Sequence, residues 1–316
     1  MCAVCHGASG EGYTADQAPA LANVEFLASV TDTYLAQAIT NGRAATTMSA
    51  WGVERGGPLA HPEVDAIVAF LRTWEHRSRV ALEQRAVTGD AARGADLYAR
   101  ECLRCHGASG VGGPNVHIGN VQLLATASDG FLRYAIRNGR PQTAMPGFAQ
   151  TLGDTGIEDT IALLRKWQSI AEHPSTAPRP MAARAPPIPI GPVPLHRAGP
   201  EPVGFRAYPA MTPADVIKAQ LDRGARFGIL DARAPSDYTT EHIAGAVSVP
   251  FYDPEPYFNA LPKDAWLVCY CGCPHAESGT LAQKLSAQGF TRVTVLDEGL
   301  GVWKARKYET RIGLEP

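Results

Sequence analysis

The chain has 316 residues, of which 45% are hydrophobic and 19% are charged, and its formal net charge is -2 at pH 7. This length allows two or three globular domains, and the composition is ordinary for such domains. The near-neutral charge and the lack of a basic run argue against a nucleic-acid partner. No apolar stretch is long enough to span a bilayer, so we predict no transmembrane segment in this chain.

The chain starts with the motif Cys2-Ala-Val-Cys5-His6. Two cysteines three residues apart, with a histidine directly after the second, are typical of covalent haem c attachment. Residues with this spacing share one face of a helical turn, so both thiols can bond to one porphyrin while the histidine binds its iron. A zinc site built from two such cysteine pairs is the alternative interpretation.

Helical signals and a candidate iron ligand follow this motif. Residues 33–40 predict a short helix that ends at Asn41-Gly42, and Pro62 starts a second helix with an apolar stripe. Met48 lies in the loop between them, and Trp51 follows three residues later. We expect the Met48 thioether to bind the iron and the Trp51 ring to pack against the porphyrin.

These features recur in a second copy of the same pattern. Cys102-Leu-Arg-Cys105-His106 repeats the motif, and Met145 has the same position after a repeated Asn-Gly-Arg sequence as Met48. A shared zinc site would explain neither the histidines nor the paired methionines. His61 and His117 are the other candidate iron ligands, but they do not occupy equivalent positions in the two copies.

Together, these motifs make the first half of the chain similar to two tandem class I, mono-haem c-type cytochrome domains, at residues 1–78 and 88–173. The resemblance implies two all-α domains that hold two covalently attached haem c groups and pass electrons to redox partners of a respiratory chain. The implied attachment residues and iron ligands are Cys2, Cys5, Cys102, Cys105, His6, Met48, His106 and Met145.

The ends of the two copies differ. Residues 75–88 join them and are polar, and we expect this stretch to be helical in part. A helical lead-in at residues 90–100 precedes the second motif, whereas the first copy has none. Haem attachment to this motif takes place outside the bacterial cytoplasm, which requires a signal peptide. We therefore expect a periplasmic protein whose signal peptide and true N-terminus lie upstream of Met1.

A change of composition separates the cytochrome-like half from the rest of the chain. Between residues 174 and 202 lie 10 of the 25 prolines. Such a sequence favours an extended, semi-rigid path, so we predict a linker over residues 174–204.

The last region, residues 205–316, alternates predicted strands with predicted helices. Thr212-Pro213 predicts a helix start, with threonine as the cap and proline at the first helical position. The alternation predicts a parallel α/β sheet, in which a site lies at the carboxyl ends of the strands. Cys271 directly follows one of these strands. The predicted strands are 227–230, 246–249, 266–270 and 293–296, and the predicted helix after Cys271 is 278–288.

This region resembles the rhodanese (sulfurtransferase) family in the sequences Leu230-Asp-Ala-Arg233, Glu241-His-Ile-Ala-Gly-Ala246 and Tyr270-Cys271. The resemblance implies that Cys271 accepts a sulfane sulfur from a donor such as thiosulfate or polysulfide and carries it as a persulfide. The helix start that follows the loop favours a thiolate over a thiol. Cys269, two residues earlier on the strand, is expected to be core packing.

The loop after Cys271 departs from the family pattern. Family loops usually carry an arginine, but position 277 is Glu, which excludes a Cys-x5-Arg phosphatase and leaves less positive charge for thiosulfate. Cys273 could resolve a persulfide on Cys271 into a disulfide with release of sulfide, and His275 could transfer a proton. The alternatives are a plain loop thiol at Cys273, a solvated side chain at His275, or a metal bound by all three residues.

The sequence therefore predicts a multidomain protein with two all-α cytochrome c domains followed by an α/β rhodanese-like domain with a parallel sheet. Our hypothesis is an extracytoplasmic dihaem cytochrome whose electron transfer is coupled to sulfane-sulfur handling at Cys271, Cys273 and His275. One alternative is a pure electron carrier with a non-catalytic rhodanese-like binding module. The other is an independent sulfurtransferase that the cytochromes dock to a respiratory partner.

Overall fold

The computed structural model describes residues 2–13, 17–44, 46–171, 193, 199–272 and 275–316. It contains two compact units. The helical unit comprises Cys2–Met48 and Leu59–Met181, and the sheet unit comprises Ser49–Pro58 and Ala182–Pro316. Most of the predicted linker, residues 174–204, lies outside the described residues, as does Cys273.

The helical unit is all-α across its described residues, as predicted. The predicted helix at residues 33–40 is part of α3, and the expected Asn-Gly stop is present, with Gly42 at a φ of 62°. The equivalent Gly139 ends α8 with a φ of 65°. Glycine adopts such positive φ values with little strain, so both helices end at the same step of the repeat. The helices are α1 Ala3–His6, α2 Val24–Ser29, α3 Asp32–Asn41, α4 His61–Arg72, α5 Ala91–Glu101, α6 Leu103–His106, α7 Val121–Thr126, α8 Asp129–Asn138 and α9 Ala149–Ala171.

The two copies pack against each other through two equivalent hydrogen bonds, one donated by each copy to the other. The Asn23 side chain caps α2 and donates to the Pro141 carbonyl at 2.7 Å. Asn120 caps α7 in the same way and donates to the Ala44 carbonyl at 2.8 Å. Helix α2 packs on α8, and α3 packs on α7. The repeat therefore forms one unit with approximate two-fold symmetry, because equivalent surfaces of the two copies meet.

The connection between the copies is not helical, so the expectation of partial helix at residues 75–88 was wrong. Its backbone groups form hydrogen bonds with residues of the helices that it crosses. The Val80 N–H donates to the Ala28 carbonyl at 2.8 Å, and the Arg133 guanidinium donates to the Glu83 and Arg85 carbonyls at 3.2 Å each. These long-range bonds replace the local bonds that a helix would make.

The Arg133–Glu158 pair joins this connection to helix α9 inside the helical unit. The two side chains are only 4% and 7% exposed and are hydrogen-bonded to each other. Replacing Arg133 with methionine is expected to lower the free energy of unfolding by about 3 kcal/mol, because the buried Glu158 carboxylate loses its buried cationic partner and keeps only the partly exposed Arg85, at 3.0 Å. Chemical denaturation followed by the helical circular dichroism signal measures this change. The exposed pair Arg137–Asp154 supplies the control, since Arg137→Met should cost less than about 1 kcal/mol. Equal losses in the two variants would contradict the prediction.

The same pair should make the helical unit sensitive to acid. The hydrogen bond from Arg133 lowers the pKa of the Glu158 carboxyl below its usual value. A carboxyl whose pKa is depressed on folding stabilises the protein above its unfolded-state pKa, and that stabilisation is lost as the pH falls through the folded-state pKa. The midpoint of helical unfolding should therefore fall as the pH drops below the ordinary range for glutamate. In Glu158→Gln this part of the pH dependence should be absent, and an unchanged acid response would refute the assignment.

The sheet unit has the predicted parallel α/β architecture. Its five-stranded sheet has the strand order β1-β6-β5-β2-β4 with every pairing parallel, and β3 and β7 form a separate antiparallel pair. Strand β5 has the bounds that the sequence predicted. The elements are β1 Met211–Thr212, α10 Ala214–Asp222, β2 Phe227–Asp231, α11 Pro235–Thr240, β3 His242–Ile243, β4 Ala246–Ser248, β5 Trp266–Tyr270, α12 Ala276–Ala287, β6 Val293–Leu296, α13 Gly299–Ala305 and β7 Thr310–Arg311.

The predicted helix cap at Thr212 was wrong. Thr212 belongs to strand β1, is fully buried, and its hydroxyl is hydrogen-bonded to the Thr294 hydroxyl at 2.7 Å. Helix α10 instead begins after Pro213, and its first N–H, from Ala214, is bound by the Glu298 carboxylate at 2.8 Å. A carboxylate distant in sequence thus accepts the first N–H of the helix, so Thr212 is not needed as a cap and can belong to the sheet.

Trp51 packs in the sheet unit, and its contact with a porphyrin stays a prediction. Its ring is 6% exposed and packs against Phe251 and Tyr252 of the sheet unit, with ring centroids 6.2 Å and 5.5 Å apart. The segment around Trp51 belongs to that unit rather than to the helical one. Across the described residues, none of the helices is both long and apolar enough to cross a bilayer.

Candidate functional site

Both cysteine motifs form a single helical turn. The His6 N–H donates to the Cys2 carbonyl at 2.9 Å, and the His106 N–H donates to the Cys102 carbonyl at 3.0 Å. This turn places the two cysteines of each motif on one side. Cys2 is exposed, and Cys5, Cys102 and Cys105 are partly exposed, so all four thiols are accessible for bonding to a porphyrin.

The histidines are prepared to bind iron through one nitrogen. Nδ1 of His6 lies 3.1 Å from the Pro19 carbonyl, and Nδ1 of His106 lies 2.9 Å from the Val116 carbonyl. A carbonyl only accepts, so Nδ1 carries the hydrogen and Nε2 keeps its lone pair for a metal. Burial lowers the pKa of both imidazoles, which favours the neutral form that metals bind. These residues fit the haem c that the motifs imply.

The two methionine loops have the same backbone geometry. The Arg43 N–H donates to the Met48 carbonyl at 2.8 Å, and the Arg140 N–H donates to the Met145 carbonyl at 2.9 Å. The N–H of each methionine in turn donates to a threonine hydroxyl two residues earlier, at 3.1 Å and 3.2 Å. Both methionine side chains are half-buried. The matched turns fit a shared role, and the assignment of Met48 and Met145 as iron ligands stays a prediction.

The alternative histidines lie in unlike places. His61 is exposed at the first residue of α4, whereas His117 is in the loop that follows the second cysteine motif. They lie on unlike elements, in contrast to the two methionines, whose loops have matched backbone bonds. The structure thus gives the histidine alternative no symmetric site.

Cys271 lies at the carboxyl edge of the parallel sheet. It directly follows β5, is fully buried, and its Sγ is 3.3 Å from the Ser278 hydroxyl. Ser278 is in the first turn of α12, so the sulfur lies near the positive end of a 12-residue helix. Backbone N–H groups and the helix dipole favour a negative sulfur at such a position. Cys269 is buried within β5, as predicted, and burial raises the pKa of its thiol.

The charges around Cys271 are mostly paired or negative. The Arg233 stem lies against the loop, since a Cβ at Gly272 would be 3.5 Å from its Cδ. Its guanidinium, however, is bound to both Asp231 oxygens, at 2.9 Å and 2.5 Å, and to the Glu241 carbonyl. Glu277 is 4% exposed in the first turn of α12. The loop therefore offers an anionic donor less positive charge than an unpaired arginine would.

His275 has a partner that sequence reasoning missed. Its Nε2 lies 3.0 Å from the Asp297 carboxylate. His275 immediately precedes α12, and Asp297 directly follows β6, which is the neighbour of β5 in the sheet. The position of Asp297 at the carboxyl end of a parallel strand was the available signal. Because Cys273 lies outside the described residues, its predicted role and the metal alternative stay untested.

Two families match different parts of this chain. Residues 1–71 and 89–164 match the family described as cytochrome c oxidase, cbb3-type, subunit III. Residues 213–306 match the rhodanese-like domain family. The CcoP subunit of the cbb3-type oxidase of Azospirillum is 27% identical over 177 residues, which are 50% of this chain and 55% of the relative. The chain thus spans about half the length of that relative.

Shorter relatives match each part separately. Cytochrome c6 of Thermosynechococcus vestitus is 33% identical over 26% of this chain and 75% of its own length. The thiosulfate sulfurtransferase GlpE of Pseudomonas fluorescens is 32% identical over 29% of this chain and 83% of its own length. A solved rhodanese-like domain of the Alr3790 protein from Anabaena is 31% identical, with a TM-score of 0.31, over 33% of this chain and 80% of that one. The chain belongs to the c-type cytochromes through its N-terminal half and to the rhodanese-like family through residues 213–306.

Proposed function

We propose that the protein is a periplasmic dihaem cytochrome c that collects electrons from sulfur chemistry at Cys271 and passes them to a respiratory redox partner. The observation that carries the proposal is the pairing of Cys271 Sγ with Ser278 at the start of α12, in a chain that also contains two complete cysteine–histidine motifs. In this proposal, the haems at Cys2–His6 and Cys102–His106 supply two one-electron centres when bound.

The first step is transfer of one sulfur atom. The Cys271 thiolate attacks the outer sulfur of thiosulfate, which forms Cys271–S–S⁻ and releases sulfite as the S–S bond of the donor breaks. With a polysulfide donor, the leaving group is the polysulfide shortened by one sulfur. The helix start stabilises the negative charge on the attacking thiolate and on the persulfide, because the same N–H groups face both species.

The second step releases electrons. A persulfide anion and a second thiolate join as a trisulfide, Cys271–S–S–S–R, and two electrons leave. The second thiolate is that of Cys273 or of a small thiol that enters the site. Haems held at the two cysteine–histidine motifs would supply one one-electron acceptor each, which matches the two electrons released.

Exposure of the haem-loaded protein to thiosulfate or polysulfide tests the proposal. Intact-mass spectrometry reports a gain of one sulfur, ~32 Da for a persulfide, while absorbance reports haem reduction. A mass gain with haem reduction supports the coupled function. A mass gain without reduction leaves an independent sulfurtransferase, and no mass gain with either donor leaves an electron carrier with a binding module. The acidic Glu277 in the first turn of α12 favours this last candidate.

Asp297 is expected to act as a positioning residue through His275. Its carboxylate holds the Nε2–H side of the ring, which leaves Nδ1 to accept a proton during sulfur transfer. Asp297→Asn should slow persulfide formation roughly 10- to 100-fold, within the range of general acid–base contributions. The matched measurement uses the His275→Gln background, where Asp297→Asn should have almost no further effect. Full additivity of the two substitutions would show that Asp297 does not act through His275.

A further inference from the structure

A segment that belongs by sequence to the first c-type copy packs in the sheet unit. We call Ser49–Pro58 the cover segment. Trp51 in this segment is 6% exposed and contacts the Phe251 and Tyr252 rings, at interplanar angles of 84° and 60°. The edge-on arrangement with Phe251 stabilises this aromatic pair beyond the burial of its surface.

Polar bonds hold the cover segment on the same surface. The Ser236 hydroxyl donates to the Ala50 carbonyl at 3.4 Å, and the Ser49 hydroxyl donates to the Asp237 carboxylate. The loop is also tightly closed, since the Gly57 N–H donates to the Gly52 carbonyl at 2.9 Å. A Cβ at Gly57 would lie 2.2 Å from the Trp51 carbonyl group, so only glycine fits there.

This surface is the edge of the sheet where Cys271 lies. The Phe251 N–H donates to the Ala232 carbonyl, and the Ala232 N–H donates to the carbonyl of Tyr270, the residue before Cys271, both at 2.9 Å. These bonds cross from the end of β4 to the end of β5. The aromatic partners of Trp51 therefore belong to the same edge as the sulfur site.

A second connection runs through the helix start. Burial raises the pKa of Tyr252, and the negative charges near it, which include Glu277, act in the same direction. Glu277 is the neighbour of Ser278, whose hydroxyl contacts Cys271 Sγ. Tyr252 thus contacts Trp51 and lies within range of the Glu277 charge in the first turn of α12. Because Cys271 is fully buried, a donor must displace some of the residues at this edge to reach its sulfur.

We propose that the cover segment determines which sulfur donors reach Cys271, with Trp51 as the residue that restricts access to small donors. The proposal rests on the proposed function of Cys271 as a sulfur acceptor. Thiosulfate and short polysulfides need only a small opening, whereas a persulfide on a large thiol needs Trp51 to leave its contacts with Phe251 and Tyr252. Trp51 is a specificity-determining residue in this arrangement and takes no part in bond formation.

Thiol alkylation tests the proposal on the full-length, haem-loaded protein. The probes are iodoacetamide as a small reagent and a maleimide with a bulky substituent, and peptide fragmentation assigns the label to Cys271 rather than to Cys269 or Cys273. In Trp51→Ala, the ratio of the bulky to the small reagent's rate should rise roughly tenfold or more, because loss of a buried aromatic side chain eases local opening. Trp51→Phe keeps an aromatic ring and should stay near the original ratio.

Phe148 provides the matched control, because it has the same position after Met145 as Trp51 has after Met48. Phe148→Ala should leave the ratio unchanged. If Trp51→Ala does not fold, Ser49→Ala combined with Ser236→Ala loosens the same segment and should raise the ratio several-fold. An unchanged ratio in folded Trp51→Ala or in the double serine variant would overturn the proposal. Alkylation needs no sulfur donor, so a failure of persulfide formation would be seen separately, by mass, and would count against the proposed function instead.

Discussion

Replacing Cys271 with serine is expected to abolish both the gain of one sulfur and the reduction of haem by a sulfane donor. The hydroxyl of serine is a far weaker nucleophile than a thiolate and cannot form a persulfide, so we expect a loss of roughly 10³-fold or more in the rate. Serine also keeps the small size of the side chain and a possible hydrogen bond to Ser278, so the loop should keep its geometry. Intact-mass spectrometry and haem absorbance, recorded on the same sample, measure the two losses.

Cys269→Ala supplies the control for this substitution. Cys269 is fully buried as the penultimate residue of β5, two residues before Cys271, and burial raises the pKa of its thiol. Its replacement should lower stability slightly and leave sulfur uptake in place. Haem reduction that persists at full rate in Cys271→Ser would show that the donor delivers electrons directly to the cytochrome half. Sulfur uptake that persists in the same variant would move the acceptor to another thiol.

The second large effect is expected at Met145. Met145→Leu should lower the reduction potential of one haem by on the order of 0.1 V, since a thioether ligand raises the potential and axial ligands control a span of roughly 0.8 V. A spectroscopic redox titration of the haem-loaded protein measures the shift. Leucine has a similar volume and no sulfur, so the loop held by the Arg140 N–H bond should stay folded.

Two further variants make the Met145 result specific. Met211 lies in β1 of the sheet unit, so Met211→Leu should leave both haem potentials unchanged. Met48→Leu should shift a different redox transition from the one that Met145→Leu shifts, and the double variant should shift both. A single transition that responds to both substitutions would contradict the prediction of two separate haem sites. An unchanged potential in Met145→Leu would show that Met145 is not an iron ligand and would favour the histidine alternatives.

Local patterns in the sequence determined the elements that depend on neighbouring residues. The cysteine–histidine turns, the Asn-Gly ends of α3 and α8, and strand β5 lie where the sequence predicted them. Each is specified by a short stretch of sequence, because its hydrogen bonds are local and its apolar residues follow the period of the element. The parallel direction of the strands in the sheet that carries Cys271 also follows from the alternation of strands and helices. The same reasoning located Cys271 at the carboxyl end of β5, whereas α12 begins at Ala276, two residues before the predicted start, which brings His275 to the N-terminal end of the helix.

The features that the sequence could not predict depend on residues far apart in the chain. Asn23 and Asn120 cap helices, and only the packed repeat shows that their amide groups also join the two copies. Thr212 had a partner in Thr294, and His275 had one in Asp297. Trp51 had the same spacing from its methionine as Phe148, yet its ring is buried against the sheet unit. Such contacts depend on which surfaces of the folded chain pack together. Hydrogen bonding and apolar burial act between neighbours in space, so they produce no fixed residue spacing that the sequence would reveal.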